Sequence, residues 1–178
     1  MRIKGIIDED FANYKKPSMY IAFPTCSFKC DRINGCHICQ NEPLAQMTNI
    51  EMEKEEIIER YLDNPITQAI VLSGLEPFDS ALDLISFISC VRSDYECNDD
   101  IVIYTGYTEE ELSTGNYDGG TPEVLSDFYH FIRTFPNIII KFGRYMMNEE
   151  SHFDSILGVN LASNNQYAKK VSFDGTEN

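Results

Sequence analysis

Four short runs of β-branched and aromatic residues, separated by segments with helical spacing, constrain this chain more than any other feature. Met19–Phe23 (MYIAF), Ala69–Leu72 (AIVL), Ile101–Tyr104 (IVIY) and Ile138–Lys141 (IIIK) read as strands. Met52–Leu62 carries Ile57, Ile58, Tyr61 and Leu62 among charges, and reads as a helix with Thr48 or Asn49 as its cap. Ala81–Val91 sets Leu82, Ile85, Ile88 and Val91 at three-residue steps, with Leu84 and Phe87 widening the apolar face. Glu109–Leu112 reads as a short helix capped by Thr108, and Glu123–Phe135 as a helix opened by Pro122. Strands alternating with helices imply βα units. Strands apolar along their whole length imply a mainly parallel sheet with helices on at least one face. A closed eight-unit barrel takes about 250 residues, and this chain has 178. The expectation is therefore α/β: an open or partial (β/α) barrel with a mainly parallel sheet, in a single domain spanning residues 1–178. Ligands of such sheets sit beyond the carboxyl ends of the strands, so the segments that follow the strands carry the functional information.

Directly after the first strand comes Thr25–Asn41, TCSFKCDRINGCHICQN. Four of the six cysteines, Cys26, Cys30, Cys36 and Cys39, fall within 14 residues. Met1–Asp10 has no apolar signal core, and no apolar run approaches the roughly 18 residues of a membrane span. The expected compartment is the cytosol, where thiols stay reduced, so clustered cysteines point to metal ligation or catalysis and not to disulfides. A loop this dense in thiols suits a soft metal centre. An iron–sulfur cluster and a zinc ion held by all four cysteines are the two candidates. Only five residues separate the two cysteine pairs, against roughly 15–20 in zinc ribbons, which favours the cluster.

The formal charge is −15, from 29 acidic and 14 basic residues. Such a surface repels phosphate backbones and argues against nucleic acid as a partner. It suits solubility alone, or a basic patch on a protein partner.

The cysteine loop resembles that of radical S-adenosylmethionine (SAM) enzymes. Their usual pattern is C-x3-C-x2-C after the first strand of a partial (β/α) barrel. Cys26-x3-Cys30 matches its opening, and Cys39-Gln40-Asn41 matches its C-x-N exit. Here eight residues separate Cys30 from Cys39, an insertion of six, and Cys36 lies inside it. Ile38 stands where an aromatic residue usually precedes the last cysteine. The resemblance implies a [4Fe–4S] cluster with three irons on cysteines and the fourth left for the amino and carboxylate groups of SAM. Cys26, Cys30 and Cys39 are the preferred ligands, and Cys30, Cys36 and Cys39 form the rival set.

Ser73-Gly74-Leu75-Glu76-Pro77 resembles the G-G-E-P segment that contacts the SAM amino group, with Leu75 in place of the second glycine. A glycine admits close backbone approach, and a carboxylate suits an ammonium. The plainer account is a strand-to-helix turn. Tyr104–Leu112 resembles the Y-T-G-Y-T-x-E-E-L run of the activating proteins of anaerobic ribonucleotide reductase. Thr105, Gly106 and Tyr107 thereby join Ser73, Gly74 and Glu76 as candidate SAM-binding residues, although Thr105-Gly106 also reads simply as a turn.

Phe135–Gly143 resembles a later strand of those activases, with Lys141 and Phe142 before Gly143 where an acidic residue is common. Leu161–Gln166 resembles their S-x-N-Q segment, which implies Asn165 and Gln166 near the cluster mouth or a partner surface. Asp10–Asn13 resembles their lead-in strand. The implied activity is reductive cleavage of SAM to a 5′-deoxyadenosyl radical, which makes a glycyl radical on a large reductase subunit. An external one-electron donor such as flavodoxin or ferredoxin would feed the cluster, and no membrane is implied. Another glycyl-radical enzyme, a peptide or a small molecule would fit the same chemistry. The competing class is a non-enzymatic zinc-binding interaction module.

Other residues carry less. Cys90 reads as a packed hydrophobe and Cys97 as a loop residue. His37 reads as a surface side chain or an accessory ligand, and His130 and His152 as isolated. No base–nucleophile constellation supports a hydrolase. Glu109–Glu111 suits the start of a helix, and Tyr14-Lys15-Lys16 reads as a solvated turn.

Overall fold

The computed structural model describes residues 1–115 and 122–172. In chain order the chain forms β1 (Arg2–Ile3), β2 (Gly5–Asp10), β3 (Ser18–Phe23), α1 (Lys29–Asn34), α2 (Glu42–Gln46), β4 (Ile50–Glu51), α3 (Lys54–Leu62) and β5 (Ala69–Gly74). A 3-10 turn (Pro77–Ser80) leads into α4 (Ala81–Ser89) and a π turn (Cys90–Asp94), followed by β6 (Asp100–Tyr104), α5 (Glu109–Thr114) and α6 (Pro122–Ile132). The remaining elements are β7 (Ile138–Phe142), β8 (His152–Asp154), β9 (Val159–Leu161) and β10 (Tyr167–Lys170).

The four strands expected from the sequence are β3, β5, β6 and β7. They pair in parallel at the centre of a six-stranded sheet of order β10-β7-β6-β5-β3-β2. Both edge strands, β2 and β10, run antiparallel to their neighbours. The fold is thus a mixed α/β arrangement with a largely parallel central sheet, and among the described residues that sheet is open.

Side chains alternate along the parallel strands, as the two-residue period requires. Met19, Ile21, Phe23, Ile70, Leu72, Ile101, Ile103, Ile138 and Ile140 pack with α3, α4 and α6 through Ile57, Ile58, Tyr61, Leu84, Phe87, Ile88, Tyr129 and Ile132. Their neighbours Ala69, Val71, Val102 and Ile139 meet Tyr14, Leu157 and Leu161 on the other face. Coverage on both faces explains why these strands are apolar throughout. The second cover is the β8–β9 hairpin, and it is pinned by Asp154. That carboxylate accepts bonds from the N–H groups of Ile156, Leu157 and Ala168, each at 2.9 Å.

Several expectations need correction. Helix α3 starts after Glu53, not at Thr48 or Asn49, because Ile50–Glu51 is taken up by pairing with β1. Leu82 is 76% exposed: the buried face of α4 is set by Leu84, Phe87 and Ile88, and Leu82 lies off that stripe. The lead-in strand read at Asp10–Asn13 ends at Asp10. There the Asp10 carboxylate turns the chain by accepting the N–H groups of Ala12 (3.4 Å) and Asn13 (3.1 Å). The Thr108 cap is present as a full capping box with Glu111.

Candidate metal centre

The carboxyl ends of β3, β5, β6 and β7 open on one cavity of about 320 Å³. Cys26, Cys30 and Cys39 line it, with Ser73, Gly74 and Glu76 from the end of β5 and Thr105 and Gly106 from the end of β6. Two candidates are placed elsewhere. Cys36 is exposed, with its thiol 3.5 Å from the Asn34 carbonyl. Tyr107 turns into the helical core against Phe78, and its hydroxyl donates to Asp79 at 2.6 Å.

The loop that carries the cysteines leaves β3 through Pro24 and runs as two short helices with no buried side chain in either. Phe28, at φ 51, turns the chain between Cys26 and Cys30. That left-handed conformation is unusual for a bulky residue, and it directs the Phe28 N–H to Cys26 Sγ at 3.2 Å. Burial pushes the Cys26 thiol up to about 12, and the Phe28 N–H opposes that rise. Burial also raises Cys30 and Cys39, opposed by the backbone N–H groups of Tyr145 and Asn41 respectively. Of the three cavity cysteines, Cys26 has a peptide N–H hydrogen-bonded to its sulfur, and burial, the largest influence on all three, favours the thiol over the thiolate.

Polar contacts bind this loop to the strand ends. The Ser27 N–H donates to Asp79 at 2.6 Å, Thr25 and Ser80 share a hydroxyl bond of 2.5 Å, and the Glu76 N–H reaches the Thr25 carbonyl at 2.7 Å. Asn41, the exit residue, donates from its side chain to the Gly74 carbonyl at 2.5 Å. Gly74 has φ 84, and an added Cβ would lie 2.7 Å from Ala22 Cα, so only glycine fits there. Buried Lys4 donates to the Ala45 carbonyl at 3.0 Å and to that of Met47, closing the end of α2.

Glu76 is 6% exposed. It lines the cavity, and its carboxylate also bridges the strand ends. Oε1 accepts from Phe78 N–H (3.1 Å) and Thr105 Oγ1 (2.8 Å), and Oε2 accepts from Gly106 N–H (2.8 Å). Burial and the nearby Asp79 charge raise it to about 7, against the pull of those three donors. Across the cavity Lys141 is buried, donates to the Gly143 carbonyl at 2.7 Å, and is pulled down to about 8 by burial, which the Glu76 charge opposes. Gln166 lines the cavity and donates to the same carbonyl at 3.2 Å, whereas Asn165 is exposed and donates to the Arg144 carbonyl at 2.9 Å.

A family model described as a 4Fe-4S single cluster domain matches residues 18–135, about two thirds of the chain. The chain belongs to that family. No curated protein and no solved structure gives a significant match. The span that makes this a single-cluster domain runs from the first residue of β3 past the end of α6, and so includes all four clustered cysteines. Among the described residues, no group of three or more His, Cys, Asp and Glu side chains is assembled to hold one metal ion.

Sequence reasoning missed Asp79, Lys4 and Asp31. Asp79 joins Ser27 to Tyr107, and Asp31 accepts bonds from the backbone of Ile38 and Cys39. Asp79 and Lys4 lie in no apolar period or metal motif, and Asp31 lies inside the cysteine loop but not at a cysteine position. The one available signal was an acid placed next to a cysteine.

Proposed function

We propose that this single-cluster domain is a radical SAM enzyme of partial-barrel architecture. It reductively cleaves SAM and generates a glycyl radical on the large subunit of an anaerobic ribonucleotide reductase, with an external one-electron donor such as flavodoxin or ferredoxin. The reading rests on one observation above all. Cys26, Cys30 and Cys39 line one cavity at the carboxyl ends of the parallel strands, while Cys36 is exposed and does not line it.

Cys26, Cys30 and Cys39 would hold the cluster, and hydrogen bonds to their sulfurs would tune its potential. When bound, the cluster supplies the electron that breaks the carbon–sulfur bond of SAM, giving methionine and the 5′-deoxyadenosyl radical. The chain's own residues bind and orient the nucleotide. The cavity volume falls within the roughly 300–1,000 Å³ of small-molecule sites. Lys141 offers a cation for a carboxylate, and Tyr20 and Tyr104 add aromatic side chains to the cavity lining. Glu76 is a positioning residue: by holding Thr105 and Gly106 it fixes the β6 side of the cavity. The Glu109–Lys169 and Glu111–Arg144 pairs brace α5 beside it.

Anaerobic reconstitution with iron and sulfide, followed by addition of SAM and reductant, tests the reading. A brown protein absorbing at roughly 400 nm is expected, with release of methionine and 5′-deoxyadenosine. Cys26→Ala, Cys30→Ala and Cys39→Ala should abolish both cluster and cleavage, and Cys36→Ala should retain much of each. Full activity in Cys26→Ala would transfer the ligand role to the rival triplet. A glycyl signal in electron paramagnetic resonance with the candidate reductase would identify the partner. SAM turnover without it would assign a different glycyl-radical enzyme, a peptide or a small molecule as substrate. About one zinc per chain and no SAM cleavage would leave a zinc-binding module.

A further inference from the structure

The wide spacing between Cys30 and Cys39 has a structural answer in one side chain. Asp31 Oδ1 accepts the backbone N–H groups of both Ile38 and Cys39, each at 3.0 Å, and Oδ2 lies 3.2 Å from His37 Nδ1. These amides are seven and eight residues further along the chain, so the carboxylate is not serving the amino terminus of its own helix. Its side chain is only 14% exposed, although α1 buries no residue. Between the two ends of this closure, Gly35 at φ 68 terminates α1 and turns the chain back. Arg32, Ile33, Cys36 and His37 stay exposed on the outside of the turn.

We propose that Asp31 is a positioning residue, whose carboxylate folds residues 31–39 into a closed sub-loop that sets Cys39 beside Cys30 at the cavity mouth. The inserted residues are thereby looped out, and the long spacing acts as a short one. This inference rests on the iron–sulfur reading of the site. Two charge-assisted hydrogen bonds to consecutive amides are strong enough to hold a short segment that lacks apolar anchorage.

The test compares Asp31→Ala, which removes the acceptor, with Asp31→Asn, which keeps Oδ1. Amide hydrogen exchange on the metal-free chain reads the closure itself. Exchange at Ile38 and Cys39 should rise about tenfold or more in Asp31→Ala, the effect of losing a hydrogen bond to a charged group. Exchange in Asp31→Asn, which keeps the acceptor but loses the charge, should rise severalfold less than in Asp31→Ala, and the amides of β5 and β6 should not change in either variant, which also shows that both fold. Iron and sulfide per chain after reconstitution should fall severalfold in Asp31→Ala and clearly less in Asp31→Asn. Wild-type loading of Asp31→Ala would overturn the proposal, and so would equal impairment of the two variants. A wild-type chain that takes up no cluster would instead remove the iron–sulfur reading, and the role of Asp31 with it, whatever the amides do.

Discussion

The cysteine loop and the sheet beneath it are held by different forces. In β5 and β6 the side chains of Ile70, Val71, Leu72, Ile101, Val102 and Ile103 are fully buried, between helices on one face and the β8–β9 hairpin on the other. In α1 and α2 nothing is buried, and the loop is tied down by hydrogen bonds to Asp79, Ser80, Gly74, Asp31 and Lys4. Apolar burial makes a scaffold that needs no ligand to be rigid. Polar pins make a loop whose local stability sits near the low end of the molecule, in the region where a metal would add its own binding free energy.

Paired truncations offer the largest test of that contrast. Ile103→Ala, at a fully buried site facing the helices, should cost about 2–5 kcal/mol of global stability through lost transfer energy and a residual cavity. Ile33→Ala, 56% exposed in α1, should stay within about 0.5 kcal/mol. Chemical denaturation of the metal-free chain measures both, and similar losses at the two sites would break the comparison.

The same contrast explains what the sequence revealed. The four parallel strands were legible because both of their faces are covered, so every residue from Ile70 to Leu72 or Ile138 to Ile140 is apolar. The edge strands were not. GIIDED in β2 exposes Ile7 and buries Asp10, and YAKK in β10 buries only Ala168, so neither shows the apolar run of a doubly covered strand. The Thr108 cap was legible because a capping box is local chemistry. In the site, the cysteines announced themselves by residue type. Asp31, Asp79 and Lys4 did not, since a carboxylate seven residues from its amide partner, or a lysine about forty residues from the carbonyls it caps, has no period to detect. Glu76 was found for its charge, but its bonds to Thr105 and Gly106 had no local signal, because those donors come from another strand.

A smaller effect should appear at the joint between the two regions. Asn41→Ala removes the 2.5 Å bond to the Gly74 carbonyl, worth about 1 kcal/mol net. If the loop opens independently of the sheet, the cost falls on local opening. Limited proteolysis between residues 25 and 47 should then speed up about fivefold, while the global denaturation midpoint barely moves. A full shift of that midpoint would mean that loop and sheet unfold as one unit.

The smallest expected effect lies wholly on the scaffold side. Glu109 in α5 accepts a bond from Lys169 of β10 at 2.8 Å and another from the Tyr129 hydroxyl of α6 at 3.0 Å. Burial alone would raise its pKa, but Lys169 and Tyr129 more than offset that and hold the carboxylate below its ordinary 4.5. As pH falls through this range the unfolded chain takes up the proton first, so the stabilisation is complete above the unfolded value and lost on acidification. The pair is partly exposed, at 52% for Lys169 and 28% for Glu109, and solvent screening limits it to about 0.5 kcal/mol. Wild type should therefore exceed Glu109→Gln by that amount at pH 7, and the gap should close near pH 3 and shrink in high salt. Cluster loading should be the same in both proteins, because Glu109 touches α6 and β10 and no part of the cysteine loop. A loading defect in Glu109→Gln would show that α5 transmits to the cysteines, and the division between scaffold and loop would have to be redrawn through the Glu111–Arg144 pair.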